Sequence, residues 1–326
     1  MLSDNVNEIR DKMNRYGNRK KPFLFAINFE TTQALFVDNP LQQNHILFDI
    51  QGVCNYNRQV KAKKITPQIK SDPIPYKEYK EKFDIVYNGL KTGYSYLTNL
   101  TLKTPIETNL SLSEIFEYSQ ALYKIFLPEQ FVCFSPERFI RICNQTISTN
   151  PMKGTIDASI HNAEQIILND FKETAEHNTI VDLLRNDLSI ISDNVKVSRF
   201  RYIDRIKTNK KEILQVSSEI TGNLQDQKAD NLGDIILGML PAGSVSGAPK
   251  QATIDLITKA EKDPRGYYTG VFGYYDGNTL DSAVAIRYIE KESDQLYFRS
   301  GGGITVYSDS ESEYREALDK IYLPII

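Results

Sequence analysis

The chain of 326 residues contains no tryptophan, three cysteines, three histidines and four methionines. Cys54, Cys133 and Cys143 have no metal-like spacing, and an odd, sparse set reads as free buried thiols in a reducing compartment. There is no surplus of positive charge. The formal net charge is −3, which argues against a nucleic-acid partner. No apolar run approaches the ~20 residues that a membrane-spanning helix needs, so no membrane contact is expected. The first residues, MLSDNVNEIRDKMNRYGNRKKPF, lack the apolar core of a signal peptide, and the cytoplasm is the expected location. Length and an average apolar content leave a globular protein with a large core.

What is present alternates strands and helices. Residues 22–36 and 46–52 read as strands, and the basic, proline-punctuated stretch 60–75 as a mobile surface loop. Tyr79, Phe83, Val86 and Leu90 recur with helical period, and SYLTNLTL follows as a strand. Ser111 and Glu114 form a capping box that opens a helix to about Phe126. Strands FVCFS and RFIRICN meet at SPE, ISTNPMKGT runs from a strand into a turn, and 162–187 reads as one long helix. The strand-like VKVSRF and ILQVSSEIT, the helix DNLGDIILGML and the glycine-rich loop PAGSVSGAPK come next. The last third alternates hairpin-like strands and closes on the helix SESEYREALDKI. Strands in antiparallel pairs with inserted helices imply an α+β fold, and no linker divides the chain.

Four features can carry chemistry. Glu173 with Glu176, and Glu313 with Glu316, each place two carboxylates on one helical face, and two such faces together suit Mg²⁺. Each pair alone reads as solvated surface. Lys153, beside a glycine at a strand end, becomes a nucleophile if it is desolvated, and otherwise is an exposed turn lysine. The glycine turns 241–250 and 300–304 can offer backbone amides to an anion, although neither matches a nucleotide-binding pattern. Glu137, at the corner of SPE, suits a general acid if burial raises its pKa.

Together the pieces are more specific. SPERFI, PMKGT, KETAEHNTIVDLLRNDL, PAGSVSGAPK, PRGYYTGVFGYY, AIRYI, GGGI and EYREALDK stand in one order. This resembles the chorismate-binding domain shared by anthranilate, isochorismate, salicylate and aminodeoxychorismate synthases, over about residues 76–326. The resemblance implies one α+β domain across 1–326, with two large, roughly orthogonal antiparallel sheets flanked by helices and a shortened N-terminal part over 1–75. It implies Glu176 and Glu316 as Mg²⁺ ligands, supported by Glu173 and Glu313. The ring carboxylate of chorismate would lie near Gly301, Gly302, Gly303 and Lys320. Arg287 and Tyr268 would hold the enolpyruvyl carboxylate, with Thr155 and Ser244 as further contacts.

Lys153 stands where anthranilate-forming members usually have alanine and aminodeoxychorismate-forming members have lysine. The resemblance therefore implies the component I reaction that yields 4-amino-4-deoxychorismate, a precursor of 4-aminobenzoate and folate. Lys153 would attack the ring, Glu137 would protonate the leaving hydroxyl, and ammonia would displace the lysine. Two departures stand out: Leu97 occupies the place of the lysine base of isochorismate-forming members, where amine-using members usually have glutamine, and Gln215 that of a histidine. His45, His161 and His177 and the three cysteines form no glutaminase motif, which implies a separate glutamine amidotransferase partner. Anthranilate synthase component I and a non-catalytic chorismate-binding subunit are the alternatives.

Overall fold

The core begins with strands whose every residue is buried. Phe23–Ile27 turns Phe23, Phe25 and Ile27 to one side and Leu24 and Ala26 to the other, and both sides are covered. A strand buried on both faces reads as a continuous apolar run, which is why PFLFAI shows no alternation. The computed structural model describes residues 2–3, 5–58, 66–207, 212–225 and 229–325.

Among these residues the strands form a 10-stranded and a 9-stranded sheet, and every pairing is antiparallel. In the first, Phe23–Ile27 lies between Ala34–Asp38 and Val271–Tyr275, and the order continues through Leu280–Val284, Arg138–Cys143, Thr146–Thr149 and Glu212–Asn223 to Met152–Asp157. In the second, Leu97–Thr108 pairs with Gln295–Ile304, and Tyr288–Glu292, Phe131–Ser135, Tyr123–Leu127 and Leu47–Ile50 follow. The sheets meet through a cluster in which Leu24, Val37 and Phe272 of the first pack with Phe48, Ile125 and Cys133 of the second. The expected α+β class with two large antiparallel sheets is what the chain forms. Residues near the N-terminus are integral to it: helix Val6–Asn18 packs on helix Leu232–Met239 so closely that a Cβ on Gly233 would lie 2.3 Å from the Arg10 carbonyl oxygen.

Several boundaries differ from the sequence reading. The capping box at Ser111 and Glu114 is present, but its helix ends at Tyr118 and Tyr123–Leu127 is a buried strand. A short apolar run fits either state, and here both of its faces are buried. The long helix divides at Asp170 into Ala163–Asn169 and Phe171–Ile191, because the Asp170 side chain accepts the Glu173 amide and caps the second. Of the stretch expected as a surface loop, residues 60–65 lie outside the described residues, while Ile69–Ser71 pairs as a strand with Ile106–Thr108. Residues 300–304, read as a turn after a strand, are the end of the strand itself. Cys54, Cys133 and Cys143 are free, as expected, but only Cys133 is buried and the other two are partly exposed. Among the described residues no helix is long and apolar enough to cross a membrane.

Candidate active site

Strand Met152–Asp157 carries a β-bulge between Lys153 and Thr155, and the residue between them, Gly154, has φ +73°. Only glycine adopts that conformation without strain, and a Cβ there would also come within 3.1 Å of Glu173 Oε2. The turn expected at Lys153 is thus a bulge inside a strand. It directs Lys153 into a cavity of about 550 Å³ bounded by both sheets and by helices Phe171–Ile191 and Ser310–Asp319.

Every residue singled out from the sequence as a candidate site residue lines that cavity. Lys153, Thr155, Glu173 and Glu176 border it with Glu137, Ser244, Tyr268 and Arg287, and Gly301, Gly302, Gly303, Glu313, Glu316 and Lys320 complete it. The two glutamate pairs sit on different helices, Glu173 and Glu176 on Phe171–Ile191 and Glu313 and Glu316 on Ser310–Asp319. Glu176 and Glu313 are buried, whereas the Glu316 side chain is half exposed. Lysines hold the carboxylates in this arrangement. Lys153 Nζ lies 3.4 Å from Glu176 Oε2, and Lys320 Nζ donates to Glu316 Oε1 at 2.8 Å and to the Gly301 carbonyl at 2.8 Å.

The electrostatics are coupled. Burial alone would lower the pKa of Lys153, but Glu176, Glu316 and Glu137 outweigh it and the net shift is upward. The ammonium form is therefore the resting form, opposite to what a free nucleophile needs. Burial pushes Lys320 down despite Glu316. Burial and the neighbouring Glu176 push Glu173 up. Burial also pushes the Glu137 carboxyl up, opposed by the Ser244 hydroxyl and then by Lys153, Arg287 and Lys320. Ser244 Oγ donates to Glu137 Oε1 at 2.5 Å. A carboxyl raised in this way is suited to giving up a proton.

The glycine-rich segments work differently from anion-holding turns. In the first, the Gly243 amide serves the buried carboxylate of Asp187, and the Ser244 side chain is what reaches the cavity. In the second, Gly301, Gly302 and Gly303 pair with Thr101, Leu100 and Asn99 on one side, while strand Tyr288–Glu292 stops opposite Arg299 on the other. One edge of the three glycines is thereby left open along the cavity wall. A Cβ on Gly302 would project toward Lys320 Nζ at 3.5 Å and Glu313 Oε2 at 3.6 Å, so the missing side chain leaves room beside the acids. Arg287, with φ 55°, has no carboxylate within ion-pair distance among the described residues and lies 5.5 Å over the Tyr322 ring. Burial pushes the Tyr268 hydroxyl up to about 12, which keeps it a hydrogen-bond donor.

Four carboxylates on two helices around one cavity form a hard-oxygen donor set, and the mutual repulsion of Glu173 and Glu176 is what a divalent cation relieves. Such oxygens are of the kind that suits a hard cation such as Mg²⁺, but among the described residues no group of three or more carboxylate, histidine or cysteine side chains is gathered closely enough to hold a metal ion.

With the geometry in place, the comparisons are specific. A model of the chorismate binding enzyme family matches residues 24–325. The chain belongs to that family. It is 48% identical to an uncharacterized PabA-like protein of Haemophilus influenzae over 100% of this chain and 99% of that one. It is 31% identical to aminodeoxychorismate synthase component 1 of Salmonella typhimurium over 75% of this chain, and spans 56% of that relative's length. Its fold superposes with a TM-score of 0.73 on a putative 2,3-dihydroxybenzoate-specific isochorismate synthase of Bacillus anthracis, at 17% identity over 99% of this chain and 89% of the other.

In this chorismate-binding enzyme several cavity residues were not singled out in the sequence reading, and three of them bear on the site. Asn99, Ile180 and Tyr322 all line the site. Tyr322 lies just past the last helix, and Ile180 looks like any core residue of its helix. Behind the wall, Arg265 is 1% exposed and pairs with Glu261 at 2.7 Å. Its guanidinium also donates to the Val245 carbonyl at 2.8 Å and the Asn99 carbonyl at 2.7 Å, tying the segment that carries Ser244 to the strand that carries Asn99.

Proposed function

We propose that the chain is an aminodeoxychorismate synthase component I, which converts chorismate and ammonia to 4-amino-4-deoxychorismate and water. The carrying observation is Lys153, an amine in the cavity wall that shares its space with the raised carboxyl of Glu137 and the two glutamate pairs. Arg287 and Tyr268 suit the enolpyruvyl carboxylate, since a guanidinium with no carboxylate within ion-pair distance among the described residues can take a substrate one in bidentate fashion. Lys320 and the open edge of Gly301–Gly303 suit the ring carboxylate.

Glu176 and Glu316, helped by Glu173 and Glu313, would hold Mg²⁺. The ion would supply charge for orienting the ring carboxylate and offset the glutamates that keep Lys153 protonated. Lys153 in its neutral form then bonds through Nζ to ring carbon C2. The double bond shifts, and the C4 hydroxyl leaves as water with the proton of Glu137. Ammonia bonds to C4, the double bond shifts back, and Lys153 departs with its electron pair. The surplus proton of the new amine returns to Glu137. Leu97 offers no base to activate water at C2, which disfavours isochorismate formation. The ammonia would come from a separate glutamine amidotransferase subunit.

A second reading is favoured by the ion pair of Lys153 with Glu176: Lys153 stays a cation that steadies the substrate, and ammonia attacks C2 directly on the way to anthranilate. Incubating the chain with chorismate, an ammonium salt and Mg²⁺ and weighing the products separates the two. Retention of the enolpyruvyl group with hydroxyl replaced by amine supports the first reading. Anthranilate with free pyruvate supports the second, and recovered chorismate supports neither.

A further inference from the structure

The chemistry above makes no use of Tyr322, although it lines the cavity. It stands just past Lys320, in the segment that follows helix Ser310–Asp319. Ile321 and Leu323 on either side of it pack against the cluster that holds Ile115, Phe116 and Ile325. The Pro324 carbonyl accepts the Gln120 amide at 2.8 Å, and Ile325 bridges to Ser119. The segment is thus pinned on both sides of Tyr322, which is left 44% exposed at the cavity.

Its partner there is Arg287. That residue lies between Leu280–Val284 of the first sheet and Tyr288–Glu292 of the second, and its carbonyl accepts the Phe134 amide at 3.0 Å. Arg287 Nε donates to the Tyr322 hydroxyl oxygen at 3.4 Å, and the guanidinium carbon lies 5.5 Å from the ring centroid. The hydroxyl oxygen accepts in this contact, so its own proton remains to be donated. Among the described residues that proton has no acceptor, and neither do the two Nη groups of Arg287. Free donors on two touching side chains, both facing the cavity, are complementary to one carboxylate.

We propose that Tyr322 is a substrate-specificity residue: its hydroxyl donates to the carboxylate that Arg287 binds. The inference rests on the placement of the enolpyruvyl carboxylate at Arg287 and adds a third donor to Arg287 and Tyr268. Lys320, on the same short segment, faces the ring carboxylate. One pinned stretch of chain therefore carries a donor for each carboxylate and sets the distance between them. A ligand with two carboxylates at that spacing is selected over one that has lost the second. No bond is made or broken by Tyr322, whose task is recognition alone.

The test is isothermal titration of the full chain, in Mg²⁺, with two probes. The first, meta-(carboxyvinyloxy)benzoate, carries both carboxylates of chorismate on an aromatic ring, and the second, meta-vinyloxybenzoate, lacks the enolpyruvyl one. Neither has a leaving hydroxyl, so binding is read apart from amine formation. Tyr322→Phe keeps the ring beside Arg287 and removes only the hydroxyl. It should bind the dicarboxylate about 10-fold more weakly than wild type, with the monocarboxylate within about 2-fold and the thermal midpoint unchanged. Tyr322→Ala should weaken the dicarboxylate at least as much. Equal dicarboxylate affinity in wild type and Tyr322→Phe overturns the assignment and leaves the amine-forming reading intact, and if Tyr322→Ala alone binds weakly, the ring only steadies Arg287. A wild-type chain that binds both probes equally overturns the placement of the second carboxylate at Arg287, and the role of Tyr322 with it.

Discussion

Lys153 Nζ stands 3.4 Å from Glu176 Oε2, so the proposed nucleophile and a proposed metal ligand are one ion pair. The pair explains why Lys153 is held in its charged form even though burial works in the other direction. It also makes the lysine depend on whatever engages the glutamates. Chemistry at Lys153 and cation binding should therefore fail together.

Replacing Glu176 or Glu316 with alanine should lower turnover by about 100-fold or more, and an excess of chelator should abolish it until Mg²⁺ is restored. Loss of a carboxylate removes a ligand and unbalances the remaining charges. Undiminished turnover of Glu176→Ala, or full activity in chelator, would show that the two glutamate faces serve no metal.

Glu137 gives the pH dependence. As an acid it must be protonated, so the rate at constant free ammonia should fall as pH rises through its raised pKa. The Ser244 hydroxyl opposes that rise, since its hydrogen bond favours the ionised carboxylate. Ser244→Ala should thus move the alkaline limb to higher pH, and Glu137→Gln should cost about 10²–10⁴ in rate with no such limb. A limb that stays in place in Ser244→Ala assigns the acid to another group.

Arg265 and Glu261 form a buried pair, 1% and 6% exposed, and Glu261 also accepts the Thr101 amide at 2.8 Å. Arg265→Met leaves that carboxylate buried without its cation and should destabilise the chain by about 3–5 kcal/mol in denaturant titrations. The double replacement with Glu261→Gln should recover part of the loss. A cost below about 1 kcal/mol for Arg265→Met would mean that the pair is not what joins the Val245 segment to the Asn99 strand.

Much of the site was legible because its acids, lysines and arginine lie in ordered motifs. Glu173 and Glu176 share a face by helical period alone, and so do Glu313 and Glu316. That the two faces meet across one cavity needed the resemblance, since nothing local brings residue 176 near residue 316. Asn99 was not legible for the same reason: its place in the cavity wall comes from the register that sets it opposite Gly303. Among the elements, YKIFL was misread because a strand buried on both faces shows no period. The break at Asp170 was missed although the residue carries its own cap, D-x-x-E, because the apolar pattern runs on through it. The state of Lys153 was the least accessible. Desolvation was visible in outline, but its outcome depends on three carboxylates that only the folded chain brings around the amine.

The most direct measurement of the account is the mass of the chain after incubation with chorismate and Mg²⁺ while ammonia is withheld. A nucleophilic Lys153 should give an adduct equal to chorismate less water, located on the peptide that holds residue 153 and discharged by ammonium. Lys153→Arg keeps the charge but cannot attack, so it should form no adduct and be nearly inactive. Unmodified protein, together with normal turnover by Lys153→Arg, would contradict covalent catalysis and remove the main reason for preferring aminodeoxychorismate over anthranilate.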